Sequence, residues 1–352
     1  KILLNCEVFN LYFSQLLLNI IQSFNGERSA MASFYLLKGK KSGQTIQDVT
    51  YFSLHQYFSI YPKLTKEEYE EELSKLYEYS WIEQHDTLLR VSDKGEAQLK
   101  GYKNPLFNGW LLRGNEKVFW GRLELVMQTL SHFKNNESRF IPNQKDYFVH
   151  QFVKNYLRER DYKSDKFQQS FKSQLEHLLL HPSVGEIHRT LLIYRLSGYQ
   201  ISGLTWDQLA MAYDSSVTDM KLQFVEALHI ILTNLNEVDH PDLTQLAQDI
   251  FVHNPLTQSA LKTEQLLTQG YSLQEIASIR SLKVNTIEDH LIEIASTNKS
   301  MSLTPFISEE DIHRVLMIST KNKTKKLKII RDSLPELSYF QIRLALALER
   351  SV

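Results

Sequence analysis

One segment near the carboxyl end constrains the fold of this chain more than any other, because it carries the whole pattern of a helix–turn–helix. The segment is GYSLQEIASIRSLKVNTIEDHLIEIA, from Gly270 to Ala295. Ser272, with Glu275 three residues later, is a capping box, which predicts the start of a helix. After a turn at Leu282, apolar side chains recur at helical spacing, at Ile287, Leu291 and Ile294. The segment therefore predicts a helix–turn–helix within a carboxyl-terminal domain, residues 256–352.

A second local pattern predicts a winged-helix-like module in the amino-terminal part, residues 1–101, after a helix over residues 2–24. Two helices lie around a break at Lys38–Gly43, and Thr65 with Glu68 forms a capping box that opens a third. The stretch WIEQHDTLLRVSDKG then predicts a short hairpin followed by a helix. The order helix, helix, helix, hairpin, helix is typical of a winged helix.

The scarcity of glycine and proline indicates that the rest of the chain is helical as well. There are 12 glycines and 8 prolines in 352 residues, about half the usual share. Sheet proteins need these residues at their turns and bulges. The composition therefore predicts a mainly α, multi-domain helical protein.

The distribution of charge divides the remaining chain into two segments of opposite sign. Residues 102–172 carry a net charge of +6, and residues 173–255 carry −7. The polar run ERDYKSDKFQQ is the best boundary between this basic helical segment and the acidic helical domain, which has its own helix–turn–helix rhythm in GLTWDQLAMAYDSSVTDMKLQFVEALHIIL. The charges predict two faces of opposite sign, or two segments that attract each other inside the protein.

Several features predict a cytoplasmic protein. A single cysteine, Cys6, excludes an intrachain disulfide and a multi-cysteine metal site. Apolar runs stay shorter than the roughly 18–20 residues of a membrane span. The opening KILLNCEVFNLYFSQLLLNII is interrupted by Asn5 and Glu7, so we interpret it as a buried amphipathic helix and not as a signal peptide.

Catalytic signatures are missing from the sequence. The run Gly39–Ser42 is not a phosphate-binding loop, because Phe34 stands where the upstream glycine is needed. Dinucleotide fingerprints, HExxH and nucleophile-elbow motifs do not occur. The 12 histidines lack metal-ligand spacing. We therefore expect no enzyme activity, no cofactor and no metal.

The carboxyl-terminal motif resembles the helix–turn–helix domain at the end of many RecQ-type DNA helicases, and the domain that ends the YpbB-like proteins of low-GC Gram-positive bacteria. The upstream stretches GERSAMASFYLLKGKKSGQTIQDV and LLIYRLSGYQISGLTWDQLA, and the winged-helix stretch, are also similar to a YpbB-type chain. The resemblance thus spans nearly the whole sequence. In that family the gene typically lies beside one for a RecQ-like helicase, which implies a helicase accessory protein in DNA metabolism.

The helices expected to read DNA are unusually acidic. A helix–turn–helix places the first residues of its second helix at base edges, which here are Asn285, Thr286, Glu288, Asp289 and Glu293. Phosphates repel carboxylates, so only Arg280 and Lys283, at the preceding turn, are well placed for phosphate contact. The third helix of the winged-helix module carries five glutamates in residues 67–72. We therefore predict that these helices dock a protein partner, through Glu68, Glu71, Glu72, Glu288 and Asp289.

Two lysine clusters are the predicted DNA contacts, together with Arg280, Lys283, Asn285 and Thr286. The first contains Lys321, Lys323, Lys325, Lys326 and Lys328, and the second contains Lys38, Lys40 and Lys41. Each cluster fits phosphate contact without sequence preference, and each also fits a solvated lysine face. Three aromatic residues of the basic segment give a further alternative: Trp110, Phe119 and Trp120. They fit either the stacking of single-stranded bases, beside Arg113, Lys117 and Arg122, or packing in the core.

Together these patterns predict a non-catalytic, cytoplasmic and nucleoid-associated adaptor of a RecQ-like DNA helicase. It would bind DNA mainly through phosphates, and dock the helicase in DNA repair or recombination. The alternative is a stand-alone helix–turn–helix transcription regulator that reads an operator. The acidic recognition helices argue against that alternative.

Overall fold

The mainly helical prediction is confirmed. The structure, a computed structural model, describes residues 11–253, 256–298 and 301–348. These ranges contain nineteen α-helices and one two-stranded sheet. The predicted helix over residues 2–24 is described from residue 11 onward, and its first part, with Cys6, lies outside the described residues.

The chain divides into two compact units. The central unit comprises the described residues of Lys1–Leu16, Ile60–Pro62 and Tyr102–His253. The terminal unit comprises the described residues of Leu17–Ser59, Lys63–Gly101 and Asn254–Val352. The terminal unit thus combines residues from the predicted winged-helix-like module with the predicted carboxyl-terminal domain.

The amino-terminal part has the predicted order of a winged helix. Its elements are α1 (Tyr12–Ser23), α2 (Ala30–Lys38), α3 (Gly43–Tyr51), a short 3-10 helix (His55–Tyr57), α4 (Lys66–Glu78), β1 (Ile82–His85), β2 (Leu88–Val91) and α5 (Asp93–Leu99). The predicted capping box opens α4, since the amide of Glu68 donates to Thr65 Oγ1 at 3.1 Å and the amide of Thr65 donates to Glu68 Oε2 at 2.9 Å.

The hairpin is a tight antiparallel pair. Ile82 lies opposite Val91 and His85 opposite Leu88. Helix α5 packs closely against it at Gly95, where an added Cβ would lie 2.2 Å from the carbonyl oxygen of Trp81. A side chain at this position would clash with the backbone, so the module needs glycine here.

The central unit is a helical assembly around one hydrophobic core. Its helices are α6 (Gly109–Leu112), α7 (Glu116–Lys134), α8 (Tyr147–Arg158), α9 (Asp165–Leu179), α10 (Glu186–Arg195), α11 (Trp206–Ala212), α12 (Val217–Asn234) and α13 (Pro241–Leu246). The core extends from Leu112 to Ile250. It therefore takes side chains from both the basic and the acidic segment.

The two compact units do not coincide with the four domains predicted from the sequence. The predicted division after residue 172 lies inside α9, whose buried residues Phe171 and Leu175 stand on either side of it. Helices α11 and α12 match the predicted helix–turn–helix rhythm, but α12 is buried along most of its length. The four predicted domains stay a prediction.

The carboxyl-terminal part completes the terminal unit. Its helices are α14 (Gln258–Thr268), α15 (Leu273–Ile279), α16 (Val284–Thr297), α17 (Glu309–Asn322), α18 (Leu327–Ser333) and α19 (Tyr339–Ala347). Apolar side chains of α15, α16, α17 and α19 share one core, which also includes Tyr51 of α3. Residues of α3 and of the carboxyl-terminal helices thus belong to one packed body.

Candidate nucleic-acid interface

The predicted helix–turn–helix is formed by α15 and α16. The capping box at the start of α15 is present, since Ser272 Oγ accepts from the amide of Glu275 and the amide of Ser272 donates to Glu275 Oε2 at 2.8 Å. Ser281 adopts a left-handed φ of 51° in the turn. The apolar side chains of Ile276 and Ile287 are buried in the core. The local pattern therefore folds as its sequence predicts.

Helix α3 packs on the side of α16 that a helix–turn–helix usually turns toward DNA. Residues of an α-helix follow one another at about 100°, so Asp289 lies opposite the inward-facing Ile287 and Leu291, and Ile292 lies between the two sides. Ile292 is 0% exposed. An added Cβ on Gly43, the first residue of α3, would lie 3.4 Å from the carboxylate of Asp289. Helix α3 therefore restricts access to the middle of α16, where Asp289 is partly covered.

The acidic side chains of α16 are engaged within the unit. Asp289 accepts a hydrogen bond from Arg343 Nη2 of α19, and Arg343 Nε donates to Gln47 Oε1 of α3 at 3.3 Å. Burial raises the pKa of the Glu288 carboxyl, while Arg343 acts to lower it. These contacts tie α16 to α19 and α3, whereas the sequence predicts that Glu288 and Asp289 dock a partner.

Arg280, at the end of α15, forms hydrogen bonds to α14. Its Nη1 donates to the carbonyl oxygen of Ser259 at 2.8 Å and its Nη2 donates to Ser259 Oγ at 2.9 Å. It also donates to Thr263 Oγ1. The predicted phosphate contact by Arg280 would have to compete with these bonds. At the start of α16, Lys283 and Asn285 are exposed and Thr286 is half-buried.

A buried carboxylate, which the sequence analysis did not identify, holds the lysine-rich turn between α17 and α18. Glu27 is 7% exposed, and it accepts from Thr324 Oγ1 at 2.5 Å and from the amide of Lys325 at 3.0 Å. Asn25 Nδ2 donates to the carbonyl oxygen of Lys323, which has a left-handed φ of 48°. The backbone of the turn is therefore fixed by residues almost 300 positions away.

The turn presents its lysines to different degrees. Lys321, Lys323 and Lys328 are exposed, and Lys325 and Lys326 are half-buried. Lys325 Nζ donates to Ser319 Oγ at 3.3 Å. Three of the five predicted lysines are thus open to solvent.

Lys323 and Lys326 also line a cavity of about 560 Å³ with Arg90 of β2. Arg90 is a residue that the sequence analysis missed. The sequence indicates Arg90 only through its position in the predicted hairpin. There it lies opposite Glu83, on the outward side. Two carboxylates, those of Glu27 and Glu96, share the cavity. Three cations from two distant parts of the sequence therefore converge on one opening.

The second lysine cluster is dispersed. Lys38 Nζ donates to the carbonyl oxygen of Leu64 at 2.7 Å, and Lys40 Nζ lies 3.7 Å from the ring centre of Tyr35. Lys41 is exposed. None of the three is among the described residues that line the cavity.

Helix α4 presents an acidic face that differs in part from the predicted one. Glu68 belongs to the capping box, and Glu72 is buried and pairs with Lys75 at 2.9 Å. Of the three predicted docking residues only Glu71 is exposed. The exposed carboxylates of α4 belong to Glu67, Glu70, Glu71 and Glu78.

The aromatic residues of the basic segment belong largely to the core. Phe119 and Trp120 are buried, and Trp120 packs edge-on against Phe224. Arg122 is buried as well, and forms two hydrogen bonds to Asp249, at 2.5 and 2.9 Å. The base-stacking alternative is therefore wrong for Phe119 and Trp120, and the core alternative is confirmed for both.

Clusters of metal ligands and membrane-spanning helices are both absent from the described parts of the chain. In residues 11–253, 256–298 and 301–348, no group of three or more His, Cys, Asp or Glu side chains could hold a metal ion. Among the helices of the same ranges, none combines the length and the apolar character of a membrane span.

Comparisons with known proteins agree with this architecture. A family model described as a helix-turn-helix domain matches residues 259–346, which include α15 and α16. The chain is 33% identical over 344 residues to protein YpbB of Bacillus subtilis (strain 168), covering 95% of this chain and 97% of that protein. No solved structure matches the chain significantly. Because similarity at this level extends over nearly the whole length of both proteins, the chain belongs to the YpbB family.

Proposed function

We propose that this protein is a non-catalytic, cytoplasmic accessory protein that binds DNA through its phosphates and docks a RecQ-like helicase in DNA repair or recombination. Helix–turn–helix domains are typical of DNA-binding proteins. The packing of α3 on α16 carries this proposal, because it leaves only the first residues of the helix, such as Lys283 and Asn285, open to DNA. With base reading restricted in this way, affinity rests mainly on cations and phosphates.

The exposed lysines of the turn between α17 and α18 are the phosphate contacts in this proposal. Lys321, Lys323 and Lys328 project from a turn whose backbone Glu27 holds at Lys325, so the turn has its shape before DNA binds. Arg90 extends the basic surface across the cavity. Lys283 adds a cation at the start of α16.

The acidic face of α4 is the proposed site for the helicase. Exposed carboxylates at Glu67, Glu70 and Glu71 repel a phosphate backbone and attract a basic protein surface. The choice of a RecQ-type partner rests on the resemblance between Gly270–Ala295 and the domain that ends many RecQ-type helicases. Nucleoid association would follow from DNA binding.

Charge reversal tests the DNA part of the proposal. Replacing Lys321, Lys323 and Lys328 by Glu should weaken binding to unrelated DNA duplexes equally and flatten the dependence of affinity on salt, because fewer counterions are released. The measurement is fluorescence anisotropy at several salt concentrations. A matched control with the same change of charge replaces the exposed residues Lys63, Lys94 and Lys100 by Glu, and should have a smaller effect. Loss of binding to one sequence alone would favour the operator-reading regulator.

Affinity capture tests the helicase part. The tagged protein is recovered from its native lysate with and without nuclease, and its partners are identified by mass spectrometry. We expect a RecQ-like helicase under both conditions, and expect its loss when Glu67, Glu70 and Glu71 are replaced by Lys. A helicase recovered only without nuclease would mean that the two proteins merely share DNA.

A further inference from the structure

The most exposed aromatic side chains among the described residues lie side by side at the start of α8. Tyr147 is 68% exposed and Phe148 is 80% exposed, and the other exposed tyrosines reach at most 52%. The ring centres of the pair are 5.7 Å apart, with the planes at 76°. Two large rings held in water cost free energy that burial against a ligand would recover.

The pair is carried by a rigid element. The amide of Val149 donates to Asp146 Oδ1 at 3.0 Å, which caps the first turn of α8. The opposite side of the helix is buried in the core of the central unit through Val149, Val153 and Tyr156. The backbone that carries the rings is therefore fixed by the scaffold, which lowers the entropy lost when a ligand stacks on them.

The same side of α8 becomes basic toward its carboxyl end. Its sequence, YFVHQFVKNYLR, contains no Asp or Glu. Lys154 and Arg158 are exposed at helical spacing from Tyr147, and Arg158 Nη2 donates to Asn155 Oδ1 at 3.0 Å. From Tyr147 to Arg158 the helix rises about 16 Å. Lys145, just before the helix, is exposed as well.

We propose that this face of α8 binds single-stranded nucleic acid. Unpaired bases stack on Tyr147 and Phe148, and the backbone phosphates contact Lys145, Lys154 and Arg158. Aromatic rings beside cations are the usual platform for a single strand, since every base has a flat face. A duplex offers phosphates but keeps its bases stacked inside, so the rings select the single-stranded form. The site lies in the central unit and does not depend on the helicase partnership.

The test measures the fluorescence anisotropy of a labelled thymidine oligomer of about 16 nucleotides and of a blunt-ended duplex of the same length, each with the full-length protein. The double variant Tyr147→Ala, Phe148→Ala should lose at least about tenfold in affinity for the oligomer, while its affinity for the duplex stays unchanged. The variant Phe148→Trp should keep the affinity, and its fluorescence should be quenched on binding. Since both rings are exposed, these variants leave the core intact.

A matched control replaces Tyr194, a half-exposed ring on α10 of the same unit, by Ala. This variant should bind the oligomer as the unaltered protein does. The proposal is overturned if the unaltered protein does not bind the oligomer, or if the double variant binds it equally well. It is also overturned if the double variant loses affinity for oligomer and duplex to the same extent, because phosphate attraction alone would then explain the binding. These outcomes leave the affinity-capture test of the helicase partnership untouched.

Discussion

At the scale of single residues, Glu27 links the amino-terminal part to the lysine-rich turn. We predict that Glu27→Gln lowers the free energy of unfolding of the terminal unit by about 1–3 kcal/mol, because the amide is neutral and has one acceptor oxygen, whereas both oxygens of the charged carboxylate accept hydrogen bonds. Urea denaturation followed by circular dichroism measures this change. Glu96→Gln is the control, since Glu96 is exposed and lines the same cavity. Equal free energies of unfolding for the two variants would contradict the role of Glu27 in holding the lysine-rich turn.

The stability of the central unit depends on pH through the carboxyl group of Glu226. Burial favours a higher pKa for this carboxyl, but hydrogen bonds from His188, Tyr12 and the amide of Leu106 outweigh it and hold the pKa below its ordinary value of 4.5. A carboxyl with a lowered pKa stabilises the folded state above its ordinary pKa, and this contribution is lost as the pH falls through the folded-state value.

The prediction is that Glu226→Gln destabilises the central unit at pH 7 and flattens the loss of stability in acid. Tryptophan fluorescence is a suitable probe, because the rings of Trp120 and Trp206 pack against Phe224 in this unit. Unaltered pH dependence in the variant would show that other carboxyls control acid unfolding.

At the scale of elements, the burial of α16 in the core of the terminal unit has a measurable energy. We predict that Ile292→Ala costs about 2–4 kcal/mol of stability, because Ile292 is completely buried. Ile279→Ala, on the exposed side of α15, should stay within about 0.5 kcal/mol. Both are measured by urea denaturation. A small cost at Ile292 would mean that α16 is open on this side.

At the scale of the whole molecule, the single core of the central unit predicts how the chain can be cut. A fragment of residues 102–253 should unfold cooperatively on heating, although it lacks the hydrogen bond from Tyr12 to Glu226. A fragment of residues 102–172 should not, because its half of α9 loses the core partners beyond the cut. Circular dichroism distinguishes the two results. A cooperative transition in the shorter fragment would support the boundary predicted from charge.

The sequence by itself determined the local elements of this protein. The capping boxes at Thr65 and Ser272 and the apolar spacing after Leu282 act over a few residues, so their consequences can be read without the rest of the chain. The order of elements in the winged-helix-like module and the helix–turn–helix followed from such signals.

Only the tertiary structure decided which sides of these elements stay open. The covering of Asp289 depends on Gly43 of α3, and the position of Lys325 depends on Glu27, partners that lie far away along the chain. Phe119 and Phe148 are both phenylalanines in the basic segment, yet one is buried and the other is exposed. Helical spacing shows which residues share a side, but the packing of distant elements decides whether that side meets the core, another helix or a ligand.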